Sequence, residues 1–435
     1  MNRRALQSLG FALLCGAAIL CALSCKGKSD GKVHLRFWHA WGGREGEFLE
    51  KLVAEFNASH PGIVVEPSLF NIGDKLMASI AGGNPPDIAT VWDFMLTPMG
   101  ESGCFLPLED RLRAAGRTPE TFLPGVWDYG MYGEHKWGVP ASLNAWGIYY
   151  NRKDAREAGL DPDKPPATAA ELAEWGGKLS KRDGTRLSRI GFAPAAATIW
   201  MWNFGGSFFD AKTKRFTLTD ANNIRAVEWM KSIYDDIGME DYRRLAAGFG
   251  NRWGPQHPFL AGKISMGEDG QWLTRFIEDY TPDLDYNVIL FPPEHAGDPG
   301  ITRVDGSFWV IPTGTEHPEE AWTFLQWFTA PEQSSRFCAE LHNIPPLRAS
   351  LDSAEFQKVR SNPHFDFFVR AIIDGHGRSL PAIPVAQEFS ENMDQGMPAV
   401  FSGSVSAADF LSELQQRMND QMARSATLLG VEAGK

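Results

Sequence analysis

Fifteen of the 435 residues are Trp, and several fall where a strand-like or helical run ends. The first such run closes on His39-Ala-Trp41-Gly42-Gly43 and the third on Trp92-Asp93, with Trp202-Asn203, Trp272 and Trp309 further on. Trp offers the largest flat apolar face of any side chain at little conformational cost. Next to carboxylates, amides and hydroxyls, such faces suit a molecule with apolar C–H planes and a rim of hydrogen-bonding groups. A buried polar side chain matched to one rim group confers selectivity, because a ligand lacking that group leaves it unsatisfied at about 1–3 kcal/mol. The competing use of each Trp is packing. Trp229, Trp322 and Trp327 recur within helical patterns and are read as packing or helix surface, and Trp38 as strand core. The positions of Trp146, Trp200 and Trp253 stay open.

Other chemistries find less support. Glu47, Asp93, Glu268 and Asp269 supply carboxylates from which a general acid and its partner could be drawn, as in glycoside hydrolysis. No HExxH, GxSxG, paired CxxC or phosphate-binding loop is present. The sequence therefore leads to no metal, no cofactor and no catalytic residue.

The elements that must position these residues alternate. Residues 33–38 read as a strand, and Phe48, Leu49, Leu52, Val53 and Phe56 repeat at helical spacing up to Pro61-Gly62. A strand over 63–65, a helix over 72–80, Gly82-Gly83-Asn84-Pro85-Pro86 and a strand over 88–92 follow. This alternation predicts an α/β protein with a parallel, doubly wound sheet, whose ligands bind beyond the carboxyl ends of the strands. The pattern restarts near residue 146. Thr168-Ala-Ala-Glu171 forms a capping box, residues 220–235 a long helix with Ile224, Val227, Met230 and Ile233 on one face, and Pro318 opens another helix. Residues 350–429 read as mostly helical.

Composition and termini limit the compartment and partners. Hydrophobic residues at 43% and charged residues at 22% are those of a globular chain. A mean hydropathy of −0.26 excludes a multi-spanning membrane protein. The net charge of −12 argues against nucleic acid as the main partner. Residues 1–24 carry Arg3 and Arg4 ahead of an apolar core over 11–23 and end in Ala22-Leu23-Ser24 before Cys25. This reads as a signal peptide; the alternative is an uncleaved anchor helix, for which the apolar run is short of the about 20 residues a span needs. Residues 25–32 form a polar tether. Cys104 and Cys338 are the thiols left beyond Cys25, either free or paired.

Together these segments resemble the extracellular solute-binding proteins of ABC importers, the large carbohydrate-binding group to which the maltose-binding protein belongs. The resemblance rests on Phe37-Trp-His-Ala-Trp-Gly-Gly43, Gly82-Gly-Asn-Pro-Pro-Asp-Ile88, Gly138-Val-Pro-Ala-Ser-Leu-Asn144 and Trp202-Asn-Phe-Gly-Gly206. Met266-Gly-Glu-Asp-Gly-Gln-Trp272 and Asp305-Gly-Ser307 complete it, the former departing from a shorter run ending in Gly-Pro-Trp. The Ser24-Cys25 junction is similar to a bacterial lipobox, with Cys25 the lipidated residue. The resemblance implies a two-lobe periplasmic-binding-protein fold (type II) with a hinge crossed three times, near 142–144, 304–307 and 343–348. Lobe one would span 33–142 plus 306–345, and lobe two 145–303 plus 350–435. It also implies a monomer, tethered by lipid on the outer side of a bacterial membrane, that captures a sugar or oligosaccharide and delivers it to an ABC permease.

The expected cleft residues are Trp41, Trp92, Trp202, Trp272 and Trp309 as stacking planes. Asp93, Asn144, Asn203 and Ser307, with Glu47 and Arg348 behind them, would form the polar rim. Asp93 has a helix cap as its alternative role, Asn144 a turn and Ser307 a hinge position. A related group binds glycerol phosphodiesters, for which Arg44 and Arg348 would be the anion partners; the aromatic strand ends favour a neutral sugar.

Overall fold

Two long strands organise the chain. In the computed structural model, which describes residues 30–428 apart from 71–72 and 133–134, β4 (Val139–Asn151) and β7 (Thr302–Val310) run antiparallel, and each belongs to two neighbourhoods. At one end β7 pairs with β3 (Ile88–Trp92), and β3 continues the sheet through β1 (Val33–His39) to β2 (Ile63–Leu69). At the other end β4 pairs with β5 (Met266–Gly270) and β6 (Tyr286–Ile289), while the start of β7 meets β8 (Gly377–Arg378).

The sheet is therefore mixed. The β1–β2 and β1–β3 pairs are parallel as predicted. The β3–β7, β7–β4, β4–β5 and β4–β6 pairs are antiparallel. The expectation of a wholly parallel sheet fails because β4 and β7 pass from one half of the protein to the other in opposite directions. The short strand expected near 146 is one end of the 13-residue β4.

The helices follow their capping signals. α1 (Gly43–Ser59) buries Leu49, Leu52, Val53 and Phe56 against the sheet, and α2 (Asp74–Ala81) begins two residues later than predicted. α3 (Asp93–Glu101) starts directly at the end of β3. α4 (Ala169–Leu179) is capped by Thr168, whose hydroxyl accepts from the Glu171 N–H at 3.2 Å, while the Glu171 carboxylate accepts from the Ala167 N–H. α5 (Ala197–Asn203) and α6 (Ala221–Ile237) follow, the latter capped by Asp220. α7 (Leu273–Tyr280) leaves β5. α8 (Pro318–Phe328) and α9 (Pro331–Leu341) each carry Pro in the first turn, where its missing N–H costs nothing. α10 (Pro363–Ile373), α11 (Ala386–Phe401) and α12 (Ala407–Leu428) make the end of the chain mostly helical, as expected.

Among the described residues the core falls into two clusters. One gathers Leu35, Phe37, Phe56, Trp309 and Phe324 with the Tyr149 and Phe368 side of the second half. The other gathers Tyr150, Trp200, Phe208, Met230 and Phe389. Tyr149 and Tyr150 are neighbours on β4 and point to opposite faces, so one strand feeds both clusters. Trp38, on β1 between β2 and β3, is half-buried against the first core cluster and stacks on Phe70 with ring centroids 4.1 Å apart. Cys104 and Cys338 are both free thiols. Cys25 lies outside the described residues, as does the whole 1–24 segment. Among the described residues no helix is long and apolar enough to cross a membrane.

Candidate functional site

The site grows from the crossing of β4 and β7. Side chains alternate along a strand, so Asn144 and Trp146 share a face of β4, and Arg303 and Asp305 share a face of β7. Register places Asp305 opposite Asn144. The Asp305 carboxylate accepts from Asn144 Nδ2 at 2.9 Å and from Trp146 Nε1 at 2.7 Å, and pairs with Arg303 Nε at 3.1 Å. The Arg303 guanidinium also lies 5.8 Å from the Trp146 ring centre. The strands approach so closely that a Cβ on Gly306 would sit 2.1 Å from the Ser142 carbonyl oxygen, which makes glycine obligatory there.

Asp93 joins this cluster from the first turn of α3. Burial, and then the neighbouring Asp305 charge, push its carboxyl up to about 6, opposed by Arg303, the Tyr129 hydroxyl and the Phe94 N–H. Asp394 on α11 faces Arg303 from the other side, and α11 packs across α3. Three carboxylates thus surround one guanidinium.

Beside this polar centre runs a row of indoles. The Trp146 and Trp272 rings meet edge to face at 5.2 Å, and Trp253 follows at 5.8 Å from Trp272. A Cβ on Gly270 would penetrate the Trp272 ring, so glycine at that position is what lets the indole lie back against β5. Trp272 and Trp253 face the first turn of α1 across a cavity of about 430 Å³, lined also by Gly43, Glu45, Arg275 and Tyr280 among others. Glu45 is pushed up to about 7, first by burial and then by Glu340. Arg44 pairs with Glu340 at 2.6 Å and Arg275 with Asp279 at 2.9 Å.

A chain of hydrogen bonds holds the crossings together behind the cavity. Gln271 is fully buried; its Oε1 accepts from the Ala145 N–H at 2.8 Å, and its Nε2 donates to Asn144 Oδ1 at 3.1 Å and Asn343 Oδ1 at 2.8 Å. Asn343 Nδ2 donates to Ser142 Oγ, which in turn meets Ser307 Oγ at 3.0 Å.

Of the residues expected from sequence, Trp272, Asp93 and Asn144 fall in this site. Trp92 is half-buried at the end of β3, packed against the first core cluster and paired in register with Ser307. Four expectations are corrected by depth. Trp309 is 1% exposed among Phe37, Trp41 and Phe328, and Trp41 is 6% exposed against Trp309 and Phe337, so neither ring has a free face. Ser307 is wholly buried and serves the crossing of the strands. Asn203 is buried and its amide donates back to the Ile199 carbonyl of its own helix. Trp202 is half-buried against Phe208, in the second cluster. Glu47 and Arg348 are exposed on α1 and at the start of a 3-10 turn, neither lining the cavity. His39 is buried in the first half, its ring 5.5 Å from Phe37. Reasoning from sequence missed Arg303, Trp253, Glu45, Gln271 and Tyr129. Arg303 and Asp305 carried a usable signal, two opposite charges spaced by two within an apolar strand.

The carboxylates imagined as a catalytic pair are separated and occupied. Glu268 accepts from the Ala195 and Ala196 N–H groups and Trp200 Nε1, which ties β5 to the start of α5. Asp269 points to the other face of β5 and takes His257 Nε2 at 2.8 Å and Arg252 at 3.2 Å. Among the described residues no group of three His, Cys, Asp or Glu is arranged to hold a metal ion.

A cleft between two halves, floored by strands that belong to both and walled by indoles on one side, is the architecture of a receptor that encloses its ligand between lobes. The chain belongs to the bacterial extracellular solute-binding proteins, whose family model matches residues 40–334. It is 25% identical to the sn-glycerol-3-phosphate-binding periplasmic protein UgpB of Escherichia coli (strain K12), over 94% of this chain and 97% of that protein. Among solved structures it is similar to CpMnBP1 with mannotriose bound, with a TM-score of 0.79, 26% identity, and coverage of 88% of this chain and 99% of that one. UgpB from Mycobacterium tuberculosis in complex with glycerophosphocholine shares the fold at a TM-score of 0.74 and 19% identity, over 91% of this chain and 99% of that one. The two-lobe α/β fold expected from sequence is thereby shown, as is the solute-binding class.

Proposed function

We propose that the protein captures a neutral oligosaccharide in this cleft, closes around it and hands it to an ABC permease, acting as a non-enzymatic monomer outside the cytoplasm and tethered through Cys25. Lobe one is assigned to 33–142 plus 306–345 and lobe two to 145–303 plus 350–435. The observation that carries the sugar reading is the indole row Trp146–Trp272–Trp253 next to the Asp93–Asp305 cluster. Indoles cover the C–H faces of pyranose rings, and carboxylates accept from their hydroxyls. The mannotriose complex of the 26%-identical CpMnBP1 supports the same ligand class.

The UgpB relatives raise the alternative of a glycerol phosphodiester. A phosphate needs cations that are not already engaged. Here Arg303, Arg275, Arg252 and Arg44 each pair with a carboxylate, and Asp93 and Asp394 lie beside Arg303 as further carboxyls. That balance favours a ligand without charge. Coupling to transport requires that the ligand bind the closed form better than the open one.

Isothermal titration against mannobiose, mannotriose, a malto-oligosaccharide series, glycerol 3-phosphate and glycerophosphocholine separates the readings. Saccharide binding with no response to the phosphates is expected. Binding of the phosphates alone overturns the neutral-sugar reading, and turnover of a bound saccharide overturns the non-enzymatic one.

A further inference from the structure

Trp253 is 60% exposed, one of the most exposed large apolar side chains in the described structure. It sits on an irregular segment between Ala246 and β5 that carries Gly248, Gly250, Gly254 and Gly262. The indole is nevertheless oriented. One side contacts Trp272, the Arg252 guanidinium lies 5.4 Å from its centre, and the Trp253 backbone N–H donates to Asn251 Oδ1 at 3.0 Å, which fixes the turn that carries the ring. Arg252 is in turn anchored on buried Asp269, which His257 also holds. Holding a solvent-facing indole in place through an Arg–Asp–His chain costs side-chain entropy and returns little apolar burial. That expenditure has a use if something flat and partly apolar covers the ring.

Resting on the sugar reading above, we propose that Trp253 is a chain-length determinant. It forms an outer subsite that takes the terminal pyranose ring of an oligosaccharide whose inner rings lie on Trp272 and Trp146. The indole continues the row outward by one step, about the length of one sugar unit. Across the cavity, Glu45 and the backbone of Gly42–Gly43 face it from lobe one, and Tyr280 and Arg275 close the side. A ligand that stops at Trp272 leaves Trp253 in water. A longer one covers it and adds polar contacts to the first turn of α1, so its closed state gains more than its open state.

Titration of wild type, Trp253→Ala, Trp253→Phe and Trp272→Ala with mannobiose and mannotriose tests the assignment, with maltose and maltotriose as a second pair. The trisaccharide should bind wild type more tightly than the disaccharide. Trp253→Ala should weaken only the trisaccharide, by about tenfold, while Trp253→Phe retains most of the difference. Trp272→Ala should weaken both. In parallel, the extra iodide-quenchable fluorescence of wild type over Trp253→Phe should be protected by the trisaccharide and not by the disaccharide. Equal loss of both sugars in Trp253→Ala, or no loss of either, overturns the outer subsite while leaving the sugar reading intact. A wild type that binds none of these saccharides overturns both.

Discussion

Gln271 ties β4, at Asn144 and Ala145, to Asn343 through one side chain, so its removal has a calculable cost. In Gln271→Leu the volume is nearly kept and the three hydrogen bonds are lost. The Ala145 N–H lies between the paired strands, out of reach of water, and leaving it unsatisfied costs about 1–3 kcal/mol. The Asn144 and Asn343 oxygens are half-buried and recover part of their bonding from solvent, at about 0.5 kcal/mol each. Leu gains some apolar transfer free energy in return, about 1 kcal/mol in a pocket with polar walls. The net expectation is a loss of about 1–3 kcal/mol, read from urea unfolding as a lower midpoint with an unchanged slope. Gln271→Glu separates the contributions. Its carboxylate still accepts from Ala145 N–H but donates to neither Asn, and it introduces a charge close to Asp305. It should therefore be at least as destabilising as the Leu variant near neutral pH and recover on acidification. A Leu variant within about 0.5 kcal/mol of wild type would refute the argument that Gln271 holds the crossings together.

Three further outcomes follow from the same geometry. Trp309→Ala should cost about 3–5 kcal/mol in stability, because the ring is enclosed by aromatic neighbours, whereas exposed Arg348→Ala should change stability by less than about 0.5 kcal/mol and leave saccharide affinity unaltered; denaturant titration and calorimetry check both. The folded-state Asp93 carboxyl is raised to about 6 from an ordinary value near 3.9, so the folded protein binds the extra proton and this group's contribution to stability falls as pH rises through that window. The stability advantage of Asp93→Asn over wild type should accordingly grow between about pH 4 and pH 6 and level off above it; an advantage that shrinks with rising pH contradicts the assignment. Thr168→Ala should cost about 1 kcal/mol through loss of the α4 cap, measurable as a small fall in urea midpoint with binding unaffected.

The fold was readable from sequence where local signals and tertiary packing agree. The heptad-like run of α1, the Thr168 cap and Pro318 each fixed an element, and all three stand. Strand direction was not readable, because β4 and β7 look locally like any apolar strand and their antiparallel passage is decided by pairing between residues about 160 apart. The site divides along the same line. Position along a strand told how near a residue lies to the crossing of β4 and β7, and it pointed to Asp93, Asn144 and Trp272, which lie in the candidate site. It did not tell which face the side chain takes or how deep it lies. Trp309 and Asp305 are on the same strand with even spacing, yet the irregularity between Ser307 and Phe308 and the aromatic neighbours of the first core cluster carry Trp309 inward while Asp305 stays at the crossing. Trp253 lay beyond any periodic pattern, in a glycine-rich segment where the Arg252–Asp269–His257 chain and the Trp272 ring define its place. A strand-end Trp is therefore weak evidence for stacking on a ligand until its depth is known. An exposed Trp kept in place by an Arg that is itself anchored on a buried Asp is stronger evidence, because packing alone gives no account of that arrangement.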